Sequence, residues 1–171
     1  MNMKRNNNIK LYNMVLPIWL LWLIPGTWII ILPLTFITDS AVLLLSLKAL
    51  KQNEIKQKYK RTIWEIWVLG FAADIPGIVL LGISQFFPYS QTGFLNWWYE
   101  NITNNVVFHP SGNIFSLLYV LAAIAVSSVF IYLFNLKISL KNINMDDRAK
   151  KLTALSLAVF TSPWLFLLPI Q

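Results

Sequence analysis

The sequence predicts an all-α integral membrane protein, a small polytopic helical bundle with five transmembrane helices, or four as the alternative. Of the 171 residues, 57% are hydrophobic and only 12% are charged, whereas a water-soluble domain has about 25% charged residues. Several apolar stretches also approach the length of about 20 residues that a helix needs to cross a bilayer. We therefore expect a single transmembrane domain over residues 1–171.

The first two predicted spans lie at residues 12–33 and 36–51. Three prolines interrupt the first span, so we expect a kinked helix whose freed carbonyls are satisfied by neighbouring helices. The sequence PLTFITDS at residues 33–40 predicts the turn between these two spans.

Three further spans and an outer loop are predicted after the second basic stretch. The spans are residues 63–84, 114–136 and 152–169. The outer loop, residues 85–113, joins the first two of these. Asp146 and Asp147 are placed to cap the last helix, because negative charge is favourable at a helix N-terminus. Pro163 bends the last run, so an incomplete crossing is an alternative there.

The basic residues predict the orientation. All 14 lysines and arginines fall in residues 1–10, 48–61 and 137–151. Cytoplasmic connections are enriched in Lys and Arg, so we expect a cytoplasmic N-terminus and, if every run crosses, an external C-terminus. The same rule accounts for the net charge of +7 without nucleic acid as a partner.

The middle basic segment is expected to rest on the anionic headgroups of the bilayer, which attract juxtamembrane lysines and arginines. The residues predicted to make these contacts are Lys51, Lys56, Lys58, Lys60 and Arg61. The alternative is that they dock an acidic cytoplasmic partner.

The composition excludes several kinds of site. The chain has no cysteine and one histidine, which excludes disulfides, thiolate chemistry and a multi-histidine metal cluster within one chain. HExxH, GxSxG, P-loop and GxGxxG motifs are absent, so we expect no enzyme activity, no metal and no cofactor. The abundance of Lys, Asn and Ile is typical of an AT-rich genome and favours a bacterial plasma membrane.

Asp74 lies near the middle of the third predicted span and is followed by Ile75, Pro76 and Gly77. A charge at mid-bilayer costs at least about 2.5–3.5 kcal/mol, so such a residue is a functional candidate by default. Because Pro76 has no N–H to donate to the Ala72 carbonyl, a free acceptor is expected one turn below a helix break. Broken helices coordinate cations with such carbonyls.

The neighbours of Asp74 predict that it faces the bundle. Small residues mark close helix contacts in membranes, and they share its helix face: Gly70, Ala73 and Gly77. The expected opposing face on the fourth span is Ser116, Val120, Ala123 and Ser127, at helical spacing. The candidate ligand or ion-binding residues are Asp74, Ala72, Ser127 and Ser128, together with Asp39, discussed next. The alternative is a neutral Asp74 carboxyl that only packs, bonded to Ser127 or a carbonyl.

Asp39 is a second acidic residue within apolar sequence. Thr38, Asp39 and Ser40 are all favoured N-cap residues, and an apolar run follows them directly, so the sequence predicts a helix cap near the outer boundary. If Asp39 instead points inward, Asp39 and Asp74 would form two carboxylate levels that descend from the outside.

The outer loop has no lysine or arginine and is rich in aromatic residues. Phe94, Trp97, Trp98 and Ile102 recur at helical spacing, which predicts a segment lying flat on the outer headgroups as an aromatic belt. The alternative is a lid over an outward cavity, in which Trp97, Trp98 and His109 would contribute. A lone loop histidine acts as a pH switch only with a partner.

Two functions are compatible with these features. The first is a transport or permeation protein, or a subunit of one, that binds a cation, a proton or a small polar solute near Asp74. Transporter sites lie near the midplane of the bilayer, and five short helices would need a homo-oligomer or a partner membrane subunit to enclose a pathway. The second is a non-transporting accessory, assembly or immunity-type subunit that acts through protein contacts.

Overall fold

A computed structural model describes residues 19–20, 24–87, 89 and 92–169. The regular structure of these residues is helical: α1 (Trp28–Ala49), α2 (Ile55–Ile83), α3 (Gly93–Trp98), α4 (Asn104–Phe108), α5 (Ile114–Phe134) and α6 (Asp147–Phe160). With their short 3-10 or π-helical extensions, three segments of the described chain are long and apolar enough to cross a membrane: Pro25–Ala49, Ile55–Phe86 and Ile114–Ser139. These three segments support the prediction of a helical membrane protein.

The turn predicted between the first two spans is wrong. Residues 33–40 form no turn, because Pro33 lies inside α1. Side chains provide hydrogen bonds next to the proline: the Thr35 hydroxyl and the Trp67 indole N–H both donate to the Leu32 carbonyl, at 3.0 Å each. Pro25–Ala49 is one run of 25 residues, about 37 Å long at 1.5 Å per residue. Most of the earlier part of the predicted first span, with the N-terminus, lies outside the described residues.

Four helices form a closed ring. α2 packs against α1 and α5, and α6 closes the ring by packing against both α1 and α5. Most of the interior is apolar, with one cluster around Leu43, Ile66 and Leu157 and another around Leu81, Val120 and Phe166. A small set of polar side chains is enclosed with them, including Asp39 and Asp74.

The sequence predicts one membrane-length helix over residues 152–169. The structure instead divides this apolar run. α6 begins at Asp147, and the Asp146 carboxylate accepts a hydrogen bond from the Ala149 N–H at 3.1 Å, which confirms the predicted cap. The helix ends at Phe160 after 14 residues, about 21 Å. A bend follows, and Trp164–Leu167 forms a 3-10 turn. Pro163 has no N–H to continue the helix.

The two ends of the bundle differ in chemistry. The connections between α1 and α2 and between α5 and α6 meet at one end, where Lys51 and Lys58 share a groove with Asp146. We name this the basic end. At the other end, α3 and α4 cover the bundle, with Ile102 and Val106 buried in the core. This aromatic end confirms the helix predicted from the spacing of Phe94, Trp97, Trp98 and Ile102.

Candidate functional site

Asp74 faces the interior of the ring, as predicted. It is 4% exposed, and Ala73, Gly77 and Ile78 on the same side of α2 are also buried. All four residues of the predicted opposing face on α5 are buried: Ser116, Val120, Ala123 and Ser127. The small residues let the two helices approach closely, since a β-carbon on Gly77 would collide with the Ser127 hydroxyl and the Ala123 carbonyl. The small-residue stripe therefore sets the direction of the Asp74 carboxyl.

Asp39 is not a helix cap. It lies in the middle of α1 and is 4% exposed, because α1 begins well before the boundary on which the cap prediction depended. Its Oδ2 atom lies 3.6 Å from the β-carbon position of Gly70, one helical turn before Asp74 in α2. Asp39 therefore approaches α2 about 6 Å nearer the basic end than Asp74, and not nearer the outer boundary as predicted.

The two carboxyls are near neighbours, because Asp39 Oδ2 approaches α2 at Gly70, one turn before Asp74, and both residues are buried. They come from adjacent helices and lie at adjacent levels inside the ring. The alternative for Asp39, an inward-pointing side chain that forms a second carboxylate level, is therefore the one observed. Approached from the aromatic end, Asp74 is the first level and Asp39 the second. The closed ring of four helices brings the two acids together.

Hydroxyl groups surround the pair on the α5 and α6 side. Ser127 Oγ donates to the Asp74 main-chain carbonyl at 3.5 Å, a long contact, and does not bond the carboxyl. The Ser128 and Ser162 hydroxyls lie 2.6 Å apart. Thr161, next to Ser162, lies near the Asp39 carboxyl. The bend that ends α6 thus supplies two hydroxyls at the depth of the acids.

Thr161 and Ser162 were not recognised in the sequence as site residues. The sequence feature that could have identified them is two adjacent hydroxyl residues directly before Pro163 in an otherwise apolar stretch. Both hydroxyls also donate back to the last turn of α6, Thr161 to the Leu157 carbonyl at 2.9 Å and Ser162 to the Ala158 carbonyl. They satisfy carbonyls that a helix end leaves without partners.

The carboxyl of Asp74 is incompletely satisfied. Its Oδ1 atom is buried, and no described residue offers it a hydrogen bond. Buried polar atoms in native proteins almost always have a partner from protein, water or a bound ion. This oxygen is therefore the atom at which a proton, a water molecule or a cation would add the missing interaction.

The helix break expected at Pro76 is not formed. α2 remains α-helical from Ile55 to Ile83 through Pro76, so Ala72 lies within a continuous helix and not beside unwound backbone. The break at this depth lies instead at the end of α6, in the bend at Thr161 and Ser162.

The site is closed in this structure. Neither Asp39 nor Asp74 lines the apolar groove between α5 and α6 or the grooves at the basic end. The α5–α6 groove, of about 650 Å³, reaches Ser128 and is otherwise lined mainly by apolar side chains. A ligand of the acids would be held inside the ring.

The candidate residues of the outer loop lie at the aromatic end, apart from the acids. The Trp98 indole N–H points to the Ser84 carbonyl at 3.4 Å, and its ring packs edge-on against Tyr119. Trp97 is 38% exposed and packs against Phe115. His109 is exposed in the turn after α4. Trp98 thus helps to attach the covering helices to the bundle.

The predicted headgroup residues lie around the start of α2 at the basic end. Lys51, Lys56, Lys60 and Arg61 are exposed. Lys58 is half-buried and donates to the Gln52 side chain at 3.0 Å. Their position at one end of the bundle is compatible with contact to a lipid surface.

No protein-family model matches the sequence, and neither a curated protein nor a solved structure shows significant similarity to it.

Proposed function

We propose that this chain is a multi-pass membrane protein of the transport or permeation class, or a membrane subunit of such a system. It binds a proton or a small cation between Asp39 and Asp74. The observation that supports this is the pair of buried acids on adjacent helices, of which Asp74 retains an oxygen without a partner among the described residues. Carboxylate, hydroxyl and carbonyl oxygens are suitable ligands for a hard cation.

Charge balance favours a bound proton or cation over an empty pair. Two negative charges close together in a low-dielectric interior are unfavourable without a positive partner. Along the two helices, Lys48 is nine residues from Asp39 and Arg61 is thirteen from Asp74, about 14 and 20 Å at 1.5 Å per residue. A proton or a cation at the acids removes this repulsion directly.

The orientation that fits this function places the basic end in the cytoplasm, since cytoplasmic connections are enriched in Lys and Arg. The basic residues around the start of α2 would then contact the anionic headgroups of a bacterial plasma membrane. A solute from outside would pass the aromatic end before reaching Asp74. A second copy or another membrane subunit would complete the enclosure of a pathway.

The test is ion flux in proteoliposomes with an enclosed pH dye, with a sodium-sensitive dye in parallel. A potassium gradient and valinomycin supply the membrane potential. We expect flux of protons or sodium above that of empty vesicles, and loss of at least nine-tenths of it in Asp74→Asn. Asp39→Asn should reduce flux as well. Both variants keep the size of the side chain and remove its charge.

The matched control is Asp147→Asn, the same change at an exposed position in the first turn of α6. It should leave flux unchanged. Wild-type vesicles that conduct neither ion, or an Asp74→Asn variant with full flux, would overturn the proposal. Monodisperse elution of each variant in detergent establishes that the protein has folded.

The second candidate is a non-transporting membrane subunit that acts through protein contacts. The closed position of Asp74 and the apolar groove between α5 and α6 favour it. In that case Asp74→Asn would leave flux at the level of empty vesicles, as in the wild type, and would weaken a complex recovered by crosslinking in the native membrane.

A further inference from the structure

Besides Asp74 Oδ1, five buried polar atoms lack a partner among the described residues, and three of them, unused by the proposed function, lie in one part of the bundle. They are Asn135 Oδ1, Ser139 Oγ and Thr153 Oγ1. The three residues are between 0 and 3% exposed. An unpartnered polar atom in a dry interior lowers the stability of the fold by about 1–3 kcal/mol. Three such atoms in one part of a small bundle therefore indicate that a bound molecule supplies the missing hydrogen bonds.

The three residues lie in the half of the bundle toward the basic end. Asn135 and Ser139 are the first and last residues of a π-helical segment that extends α5. This segment packs against α2 and against α6, and Thr153 lies on the buried face of α6. Single π-helical turns are rare and often occur at functional sites. Here the wider turn places the Asn135 and Ser139 side chains in the interior, while Lys137 between them is exposed.

One of these residues also reaches the surface. Ser139 lines a groove of about 370 Å³ at the basic end, together with Arg61, Glu65, Lys137 and Lys141. This groove is lined mainly by polar and charged residues. Ser139 therefore has a buried hydroxyl without a partner and a place at the edge of an open polar groove.

The three polar residues lie at similar depths in the bundle. The Ser128 and Ser162 hydroxyls meet between α5 and α6. Counted from that contact, Asn135 is seven residues and Thr153 is nine residues nearer the basic end, about 10 and 14 Å along their helices. An apolar cluster that includes Leu157 lies between this depth and the acids. The polar atoms are therefore grouped near the groove and apart from the acid pair.

We propose that Asn135, Ser139 and Thr153 hold buried water molecules that enter from the groove at the basic end. Buried waters occupy sites with two to four polar partners, which these atoms and nearby carbonyls can supply. This water site is separate from the acid pair of the proposed function.

The absence of cysteine permits a direct test of water access. Single-cysteine variants Ser139→Cys, Asn135→Cys and Thr153→Cys are treated in membrane vesicles with the small reagent methanethiosulfonate ethylammonium. Unreacted thiols are then counted after denaturation with a maleimide of high mass. The controls are Leu140→Cys and Leu157→Cys, at positions that are equally buried but apolar.

We expect the three polar positions to react at least tenfold faster than the two leucine positions, with Ser139→Cys fastest because it borders the groove. Reaction of all three at the rate of Leu157→Cys would overturn the inference. This readout does not depend on flux. Labelled positions without ion flux would remove the proposed function and leave the water site, whereas flux with unlabelled positions would do the reverse.

A second measurement covers the case in which a cysteine variant does not fold. Thr153→Val replaces the hydroxyl by a methyl group of similar size. If the site is dry, the change removes an unsatisfied polar atom and should raise the thermal midpoint in detergent. If water is bound there, the change breaks its hydrogen bonds and lowers the midpoint. We expect a lower midpoint, and a higher one would contradict bound water at Thr153.

Discussion

Gly77 of α2 lies directly against the main chain of α5 at Ala123: a β-carbon on Gly77 would be 2.8 Å from the Ala123 carbonyl oxygen. Real β-carbons essentially never come this close to another heavy atom. The two helices meet here one turn beyond Asp74, so their separation at this point also sets the space around the carboxyl.

We therefore expect Gly77→Ala to push α2 away from α5 and to destabilise the protein by about 1–3 kcal/mol, the usual cost of overpacking an interior. The measurement is the midpoint of thermal unfolding in detergent, followed by circular dichroism. The matched control is Gly82→Ala in the same helix, where a β-carbon meets nothing within 4 Å. That change should be neutral or stabilising, because Ala favours helix over Gly by about 1 kcal/mol. Equal midpoints for the two variants would contradict close packing at Gly77.

Trp67 connects α2 to the proline region of α1 through its indole N–H, which bonds the Leu32 carbonyl at 3.0 Å and Thr35 Oγ1 at 3.1 Å. Trp67→Phe keeps an aromatic ring, smaller than the indole, and removes the donor. We expect a loss of about 1 kcal/mol in the free energy of unfolding, measured by unfolding in a denaturing detergent. Trp64→Phe, one turn earlier and 62% exposed, should cost less, and a larger loss there would contradict the assigned bond.

Asp146 caps α6 by accepting a hydrogen bond from Ala149 N–H, whereas Asp147 is an exposed residue of the first turn. Asp146→Ala should destabilise the protein by about 1 kcal/mol. Asp147→Ala loses only the interaction with the helix dipole, about 0.3–1 kcal/mol. Thermal midpoints of the two variants, compared in the same detergent, measure the difference. The reverse order would show that the cap lies elsewhere.

Cysteine labelling also tests the orientation. Gln57 lies at the start of α2 at the basic end, and Asn104 begins α4 at the aromatic end, both exposed. In intact cells, a membrane-impermeant maleimide should label Asn104→Cys and leave Gln57→Cys unreacted until the cells are permeabilised. The opposite pattern would reverse the proposed topology, and labelling of both positions in intact cells would place both ends outside.

The contact between α2 and α5 was predictable from the sequence, because it depends on local spacing. Gly70, Ala73 and Gly77 recur on one helix face beside Asp74, and an opposing stripe of small and polar residues occurs on α5. Close packing in a membrane needs small side chains. Both stripes are consequently visible as sequence patterns.

The position of Asp39 was not predictable in the same way. A proline in an apolar run with Thr and Ser after it is equally typical of a turn and of a helix that continues through the proline. The deciding factor is tertiary: Trp67, 35 residues away from Leu32 in sequence, donates to the carbonyl next to Pro33. Once α1 continues, Asp39 moves from a boundary to the interior.

The end of α6 was foreseen only in part. Pro163 indicates a bend, but the sequence alone does not say that the bend lies at the depth of Asp39 and Asp74. That depth follows from the packing of α6 between α1 and α5. For the same reason, the buried positions of Asn135 and Thr153 become visible only in the assembled ring.

The acids and the hydroxyls come from separate halves of the chain. α1 and α2 form one antiparallel hairpin that carries both carboxyls, and α5 and α6 form a second hairpin that carries Ser127, Ser128, Thr161 and Ser162. A rocking movement of one hairpin against the other would take the hydroxyl oxygens away from the acids without unfolding either hairpin. The contacts that join the acid pair to its hydroxyl neighbours are therefore also contacts that join the two hairpins, so a change in how the hairpins pack alters both at once.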